Sequence, residues 1–357
     1  MYPVDLLNRR ADRFVLWLPG LPSSTAVELQ LAVPDAANRS YTPVARQRLV
    51  PGDKLALWEL DPKSISPPLD DGVYRYWFKV GETVVTDPLA FAVDYAYTDR
   101  SGDSQPPGVV KYRDGKLWVC DVDGAEPTAV PVPSQKLLPA NNHLVIYELP
   151  TSWAKAGDDN RGVDTDTGTF EDVRALFDPS CPGRHFSHVA AVRDGALLSE
   201  LGINALELLP AADGKPQKEW GYATAHYFAP DYDLGTASEL AKLVKRIQGQ
   251  NLRFFTDVVM AFGHDPYKTV DFAQFHINAN DEPHNPDAYQ SHAVGVKREG
   301  WGGSLWRYIQ DTKAYDPETG REAVVHPSWA FHKLHLARWV RPLVCSPTPA
   351  PCFDPRR

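Results

Sequence analysis

The stretch LGINALELLPAADGKPQKEWGYATAHYFAPDYDLG, residues 201–235, decides the fold of this chain. Its apolar run 203–209 is stopped by Pro210, which is typical of a short buried strand. A polar loop follows, and it leads into a cluster of aromatic residues: Trp220, Tyr222, Tyr227, Phe228 and Tyr232. Gly235 marks the exit from this stretch.

The residues after this stretch predict a helix over 236–249 and then a second strand. Thr236 and Glu239 have the spacing of a capping box, and Gly249 ends the pattern. Between them, one apolar stripe is formed by Leu240, Leu243, Val244 and Ile247. The run LRFFTDVVM, residues 252–260, is the second strand and carries Asp257 near its far end. Because the connection is too long for a hairpin, the two strands are predicted to be parallel, as a βαβ unit.

These segments, in this order, resemble the second and third barrel strands of the α-amylase superfamily, glycoside hydrolase family 13. Within it they resemble the branching enzyme, isoamylase and pullulanase side. NHLVIYEL, residues 142–149, is similar to the family's first barrel strand, and HPSWAFHKLHLARWV, residues 326–340, to its third barrel helix. The latter predicts a helix over 328–341 with Ser328 as N-cap. The resemblance implies α-glucan chemistry in a (β/α)8 barrel.

Residues 1–98 predict an all-β module. Short runs at 25–33, 54–60 and 73–80 read as strands between Pro, Gly and Asp turns, a spacing that suggests a β-sandwich. The pattern resembles the immunoglobulin-like module, related to carbohydrate-binding module family 48, that precedes many barrels of this family. Trp58 and Trp77 are interpreted as sandwich core or interdomain contact, with sugar platforms as the alternative. Residues 99–140 are interpreted as a linker with a possible hairpin around 113–115.

The fold class is therefore expected to be multidomain: an immunoglobulin-like β-sandwich, then a (β/α)8 TIM barrel truncated after about three βα units. Residues 141–341 form the partial barrel in this interpretation, and 261–327 a B-domain-like insertion. The acidic stretch 158–168 is expected to be a solvated loop, because it lacks the spacing of a calcium-binding loop. The predicted helix 188–201 leads into the second strand.

The irregular tail 342–357 changes the character of the chain, since it is rich in proline and has no strand period. The family resemblance implies a nucleophilic Asp on the fourth barrel strand and an acid Glu on the fifth. Only three strands are recognisable here, so no catalytic residue is assigned. A truncated or frameshifted chain that is inactive as given is the hypothesis, and a genuine short protein with a disordered tail is the alternative.

The candidate substrate-binding residues are Trp220, Tyr222, Asp257 and His264. The resemblance implies that Tyr222 stacks on a sugar and that Asp257 belongs to the first conserved region of the family. There the family continues with Asn-His, four and five positions after the Asp. Ala261 and Phe262 occupy those positions here, so His264 is the nearest histidine available. Its role as a sugar contact is one hypothesis, and a solvated loop histidine is the other.

Several other residues invite a functional assignment that the sequence does not favour. Glu148 and Glu207 lie within apolar strands and are interpreted as paired strand carboxylates, because a buried unpaired charge is costly. His332 and His335, with His326 upstream, have helical spacing but lack further converging ligands. An exposed helix face is therefore the expectation for them, and no metal or cofactor is predicted.

Composition bounds the remaining choices. A net charge of −9 without a basic cluster argues against nucleic acid or an anionic membrane as partner. The four cysteines lack metal-site spacing and read as free thiols, and no leader or apolar span is recognised, so the chain is expected to be cytoplasmic. An α-glucan such as starch, glycogen or a maltooligosaccharide is the expected partner. The expected function is an α-glucan-acting hydrolase or transglycosidase, and the alternative is a non-catalytic α-glucan-binding protein.

Overall fold

The N-terminal third of the chain builds one antiparallel sheet of eight strands, in the order β1-β4-β3-β2-β5-β7-β8, with β6 paired to β5. The helix α1, Asp5–Arg9, precedes it, and the strands are β1 Phe14–Trp17, β2 Val27–Asp35, β3 Ser40–Pro51, β4 Leu57–Leu60, β5 Gly72–Val80, β6 Thr83–Val85, β7 Gly108–Arg113 and β8 Lys116–Trp118.

The structure is a computed structural model. It describes residues 5–52, 54–100, 104–128, 130, 138–150, 152–156, 163–184, 193–194, 196–214, 220–264, 267–277, 299–300 and 303–340. The predicted tail 342–357 lies outside them, as do residues 188–192 and 195 of the predicted helix 188–201. In the described part of that stretch, residues 193–194 and Leu197–Glu200 are helical.

The strands predicted at 25–33, 54–60 and 73–80 are confirmed as β2, β4 and β5. The predicted hairpin is confirmed as β7 and β8, and both Asp114 and Gly115 in its turn have positive φ, as a type I′ turn requires. Trp58 is 1 % exposed and packs in the core, so it offers no platform to a ligand. Trp77 is partly buried, and its Nε1 donates to the carbonyl of Gln105 at 2.8 Å.

The middle of the chain builds a three-stranded parallel sheet in the order β15-β12-β9. The elements are β9 Ile146–Leu149, β10 Ser152–Ala156, β11 Val163–Thr167, α2 Phe170–Ala175, α3 Leu197–Glu200, β12 Ala205–Leu208, β13 Ala212–Gly214, β14 Thr224–Pro230, α4 Ala237–Gly249 and β15 Arg253–Thr256. The βαβ unit of β12, α4 and β15 is therefore confirmed. β10 pairs with β11, so the expectation of a loop over 158–168 is wrong for residues 163–167.

Helix α4 forms because its ends and its apolar face are both specified locally. Thr236 Oγ1 accepts a hydrogen bond from the backbone N–H of Glu239 at 3.2 Å, while Glu239 Oε2 accepts one from the N–H of Thr236 at 2.8 Å. This reciprocal capping box satisfies two donors that the first helical turn leaves free. The buried stripe of the helix packs with Leu206 and Leu208 of β12 in one core.

The last part of the described chain packs against the N-terminal sheet. Its elements are β16 Phe262–Gly263, α5 Tyr267–Val270, α6 Phe272–Phe275, β17 Glu299–Gly300, β18 Gly303–Leu305, β19 Thr312–Tyr315, β20 Glu322–Val325 and α7 Pro327–Val340. Trp17 Nε1 donates to the Tyr315 carbonyl, and the Tyr267 hydroxyl donates to the Trp17 carbonyl, each at 3.0 Å. One hydrophobic core therefore runs from the antiparallel sheet into α7.

Two expectations for helix α7 are wrong. Ser328 lies inside the helix rather than at its N-cap, because Pro327 occupies the first helical position, and Ser328 Oγ donates to the Phe275 carbonyl at 3.1 Å. His332 and His335 are 0 % and 1 % exposed, so the expected exposed histidine face is a buried one.

We predict that Thr236→Ala lowers the free energy of unfolding by about 1 kcal/mol, because the first turn of α4 loses its hydroxyl acceptor. Urea unfolding followed by circular dichroism measures this change. Thr236→Ser keeps the hydroxyl and should remain within a few tenths of a kcal/mol of the native chain. An alanine variant as stable as the native chain would contradict this account of the helix start.

Candidate functional site

The candidate site lies where the parallel strands end. Asp257 follows β15 directly, and its backbone N–H donates to the carbonyl of Leu208, the last residue of β12, at 2.9 Å. Parallel strands place their carboxyl ends at one edge of a sheet, and functional side chains collect there because loops from several strands meet. The aromatic loop that follows β13 reaches the same edge.

Tyr222 and Asp257, both assigned to the site from sequence, are in direct contact. The Tyr222 hydroxyl donates a hydrogen bond to Asp257 Oδ2 at 2.7 Å. This hydrogen bond, partial burial and the negative charges of Asp257, Glu148 and Glu207 raise the pKa of Tyr222 to about 12. The phenol therefore stays protonated at neutral pH, and its ring is held in one orientation by the carboxylate.

Trp220, two residues before Tyr222 in the chain, has a strained backbone. Its φ is +58°, and Gly221 follows with φ +85°, so two consecutive residues adopt the left-handed region. Glycine adopts this conformation without cost, but a tryptophan does not. The Trp220 side chain is 57 % exposed, and such strain in an exposed aromatic residue is typical of functional loops.

A buried ionic network, which the sequence analysis missed, anchors the base of this loop. Arg100 Nη2 lies 3.0 Å from Asp233 Oδ2 and donates to the Gly214 carbonyl at 3.2 Å. The Gly214 N–H in turn donates to Asp231 Oδ2 at 3.2 Å, and the Tyr95 hydroxyl donates to Asp213 Oδ2 at 3.1 Å. Burial, followed by the charge of Asp231, raises the pKa of Asp213 well above its ordinary value. The sequence did not predict this network, because its Asp residues lie in segments that read as ordinary turns.

Glu148 and Glu207 form the second acidic feature near the site. They occupy register positions opposite each other on β9 and β12, on the sheet face opposite Leu206 and Leu208. Burial raises the pKa of Glu207, and the charges of Glu148 and Asp257 raise it further. The two carboxyls therefore repel each other. The interpretation as paired carboxylates holds for their position, because they lie opposite each other, but the pair does not stabilise either charge. Among the described residues, no three His, Cys, Asp or Glu side chains are arranged to hold a metal ion.

The structure places His264, the fourth residue assigned from sequence, directly after β16. Its backbone N–H donates to the Thr224 carbonyl at 3.0 Å, which joins this segment to β14. His264 is partly buried, and the positive charge that it carries when protonated helps to lower the pKa of the buried His276. Its proposed contact with sugar stays a prediction.

Comparison with known proteins relates the chain to glycoside hydrolase family 13, the α-amylase family, at low identity and over part of its length. It is 24 % identical over 233 residues to a 1,4-α-glucan branching enzyme of Shewanella frigidimarina, covering 64 % of this chain and 26 % of that enzyme. It is 30 % identical over 116 residues to the malto-oligosyltrehalose trehalohydrolase of Saccharolobus solfataricus, covering 32 % of this chain and 16 % of the relative. The chain thus spans about a quarter or less of the length of these relatives.

Among solved structures, a pullulanase of Anoxybacillus sp. LM18-11 in complex with maltotriose superposes with a TM-score of 0.47. The identity is 18 %, and the match covers 82 % of this chain and 38 % of the pullulanase. No family model matches the chain. Of the helices in the described ranges, none combines the length and the apolar content needed to cross a membrane.

We predict that Asp257→Asn brings the pKa of Tyr222 down from about 12 towards the ordinary tyrosine value of about 10, because the acceptor carboxylate is lost. Titration of 13Cζ-labelled tyrosine by NMR measures the shift, and Tyr222→Phe assigns the resonance. Asp311→Asn removes an exposed carboxylate and serves as the control. A native Tyr222 that titrates near 10 would contradict the hydrogen bond.

Proposed function

We propose that this chain belongs to an α-glucan-acting protein of the α-amylase family and that Trp220, Tyr222 and Asp257 bind the glucan. The observation that carries the proposal is the hydrogen bond from Tyr222 to Asp257 at the carboxyl ends of the parallel strands. The names of the relatives, a branching enzyme and a trehalohydrolase of malto-oligosyltrehalose, support the substrate class. In this proposal β9, β12 and β15 correspond to the first three strands of a (β/α)8 barrel, preceded by an immunoglobulin-like module.

The geometry suits a sugar because it combines flat aromatic faces with a fixed acceptor. A pyranose ring presents C–H groups on its face and hydroxyl groups at its rim, so it stacks on an aromatic ring and hydrogen-bonds at its edge. Tyr222 is held in place by Asp257 before a ligand arrives, which lowers the entropy cost of binding. The second carboxylate oxygen of Asp257 is then available to a sugar hydroxyl, and Trp220 adds a second exposed face.

Bond cleavage is not assigned to these residues. A retaining glycosidase needs two carboxyls on either side of the scissile bond, about 5–5.5 Å apart. Glu148 and Glu207 lie side by side on one sheet face, where they cannot flank a bond, and Glu148 is exposed. Asp257 already accepts a hydrogen bond from Tyr222. The proposal for this chain is therefore glucan binding, with hydrolysis or transfer as the second candidate that the relatives' names favour.

Binding of maltoheptaose, measured by isothermal titration calorimetry, tests the proposal. We expect Trp220→Ala and Tyr222→Ala each to weaken binding about two- to thirteenfold, which corresponds to the loss of one aromatic stacking contact of about 0.5–1.5 kcal/mol. Trp329→Ala is the matched control, because Trp329 is 48 % exposed on α7 and lies outside the site. Absence of binding, or an equal loss in the Trp329 variant, would refute the assignment.

Incubation with glycogen separates binding from turnover. We expect the purified chain to be retained on immobilised glycogen and to release no reducing sugar, because the carboxyls described near the site, Glu148, Glu207 and Asp257, are not placed to act as an acid and a nucleophile. Chain-length analysis of the recovered glycogen detects transfer, and we expect an unchanged distribution of chain lengths. Release of sugar that disappears in an Asp257→Ala variant would establish the second candidate instead.

A further inference from the structure

Three buried histidines surround the aromatic core behind the candidate site. His276 and His335 are each 1 % exposed and His332 is 0 % exposed. The ring of Trp306 joins them, with its centroid 4.5 Å from that of His276 and 4.8 Å from that of His332. The His332 and His335 centroids are 5.8 Å apart, and Tyr227 packs edge-on against both rings. We call His276, His332 and His335 the histidine cluster.

The ring nitrogens of this cluster are largely without hydrogen bonds. Within the part of the chain that the structure describes, neither nitrogen of His332 and neither nitrogen of His335 has a hydrogen-bond partner. His276 Nδ1 donates to the Ser304 carbonyl at 3.3 Å. A neutral imidazole without a partner already costs free energy in a dry core, and a charged one without a partner costs far more.

The charges that act on the cluster make protonation harder still. They come from Lys268 on α5, from His264 after β16 and from the cluster histidines themselves, and all of them are positive or become so. The hydroxyls of Tyr227 and Tyr308 face the same core, and both are neutral, since burial raises their pKa above the ordinary tyrosine value.

Two further ionisable groups lie near the cluster. The side chain of Asp271, the residue before α6, accepts a hydrogen bond from the Gly20 N–H at 2.8 Å, and burial raises its pKa to about 7. Its titration has the opposite sign to that of the histidines, because an acid with a raised pKa favours the folded state as the pH falls. The Arg338 guanidinium on α7 lies over the Phe91 ring. Burial is the main cause that lowers the pKa of His276 and His335 to about 3 and that of His332 to about 2.

The same core holds the segment 257–264, which begins at the site. The Tyr227 hydroxyl donates to the Phe262 carbonyl at 2.7 Å and accepts a hydrogen bond from Trp306 Nε1 at 3.0 Å. The Trp306 backbone N–H donates to the Ala261 carbonyl at 2.9 Å, and the Tyr308 hydroxyl donates to the Met260 carbonyl. Every one of these donors belongs to a residue that contacts a ring of the histidine cluster.

We propose that the histidine cluster is an acid-sensitive latch: while neutral it keeps segment 257–264 in place, and on protonation it releases the segment and with it the glucan site. The effect on glucan rests on the proposed function, whereas the release itself does not. The sign follows from linkage. A histidine whose pKa is lower in the folded state than in the open state makes folding depend on pH. Its contribution to stability is present above about pH 6.5, the ordinary histidine pKa, and is lost as the pH falls below this value.

Hydrogen exchange of the full chain, measured by mass spectrometry at pH 7.5 and pH 5.5 and corrected for intrinsic rates, tests the release. Each ring that becomes protonated on opening raises the opening equilibrium about tenfold between these pH values, so three rings raise it up to about a thousandfold. We expect the loss of protection in peptides covering 257–264, 304–308 and 327–340. Peptides covering β2 and β5 of the N-terminal sheet should keep theirs.

Variants identify the cluster as the cause. The double variant His332→Phe and His335→Phe cannot be protonated at these positions. Between pH 7.5 and pH 5.5 its protection should therefore fall by a factor about a hundred times smaller than that of the native chain. His143→Gln changes an exposed histidine outside the cluster and should behave like the native chain. Protection that is independent of pH in the native chain, or equally dependent in the double variant, would overturn the proposal.

If the double variant does not fold, an NMR titration of the histidine rings in the native chain tests the latch instead. The rings of the cluster should stay neutral down to the pH at which protection is lost, and a cluster ring that titrates near 6.5 with protection intact overturns the latch. Maltoheptaose affinity at the two pH values forms the second arm, and we expect it to weaken at pH 5.5 by a factor of one plus the opening equilibrium constant that exchange measures at that pH. No binding at either pH would refute the proposed function and the effect on glucan, while the exchange result would still decide the release.

Discussion

The parallel pairing of β9, β12 and β15 is the constraint on which the site depends. Leu206 and Leu208 face the core that α4 covers, so Glu207 between them must point to the opposite face. A shift of one residue would bury that carboxylate among the leucines and expose both of them. The register is therefore strongly specified, and it places Asp257 at the same edge as the end of β12.

Local sequence signals were sufficient where the physics is local. The capping box of Thr236 and Glu239 and one apolar stripe define α4, and the turn at Asp114 and Gly115 defines a hairpin. Tyr222 and Asp257 were assigned from a resemblance whose motifs lie at the ends of predicted strands. The role of these two residues stays a prediction, and the geometry adds the hydrogen bond between them that the motifs do not specify.

Local sequence patterns gave wrong predictions where the structure depends on contacts between distant parts of the chain. Nothing in the spacing of His332 and His335 shows that Trp306 and Tyr227, far away in sequence, cover that face of α7. Histidine is polar, so a helix pattern places it outside, whereas tertiary packing places it inside. The pairing of β10 with β11 likewise overrides an acidic composition that favours a loop.

The ionic network of Arg100 and the histidine cluster differ in how far their polar groups are paired. Arg100 is paired with carboxylates and a carbonyl, which makes the base of the aromatic loop a rigid support. The histidine cluster has little such pairing and stays neutral instead, so its contribution depends on pH. A site held by one rigid support and one titratable support can be kept in place at neutral pH and released by acid.

The central claim is that an α-glucan binds where Tyr222 meets Asp257. A crystal structure of the chain grown with maltoheptaose tests it most directly. The account predicts a glucose ring stacked on Tyr222, a sugar hydroxyl within hydrogen-bond distance of Asp257, and a further ring against Trp220. Glucan density found only on the N-terminal sheet, for example at Trp77, with none over Tyr222, would contradict it.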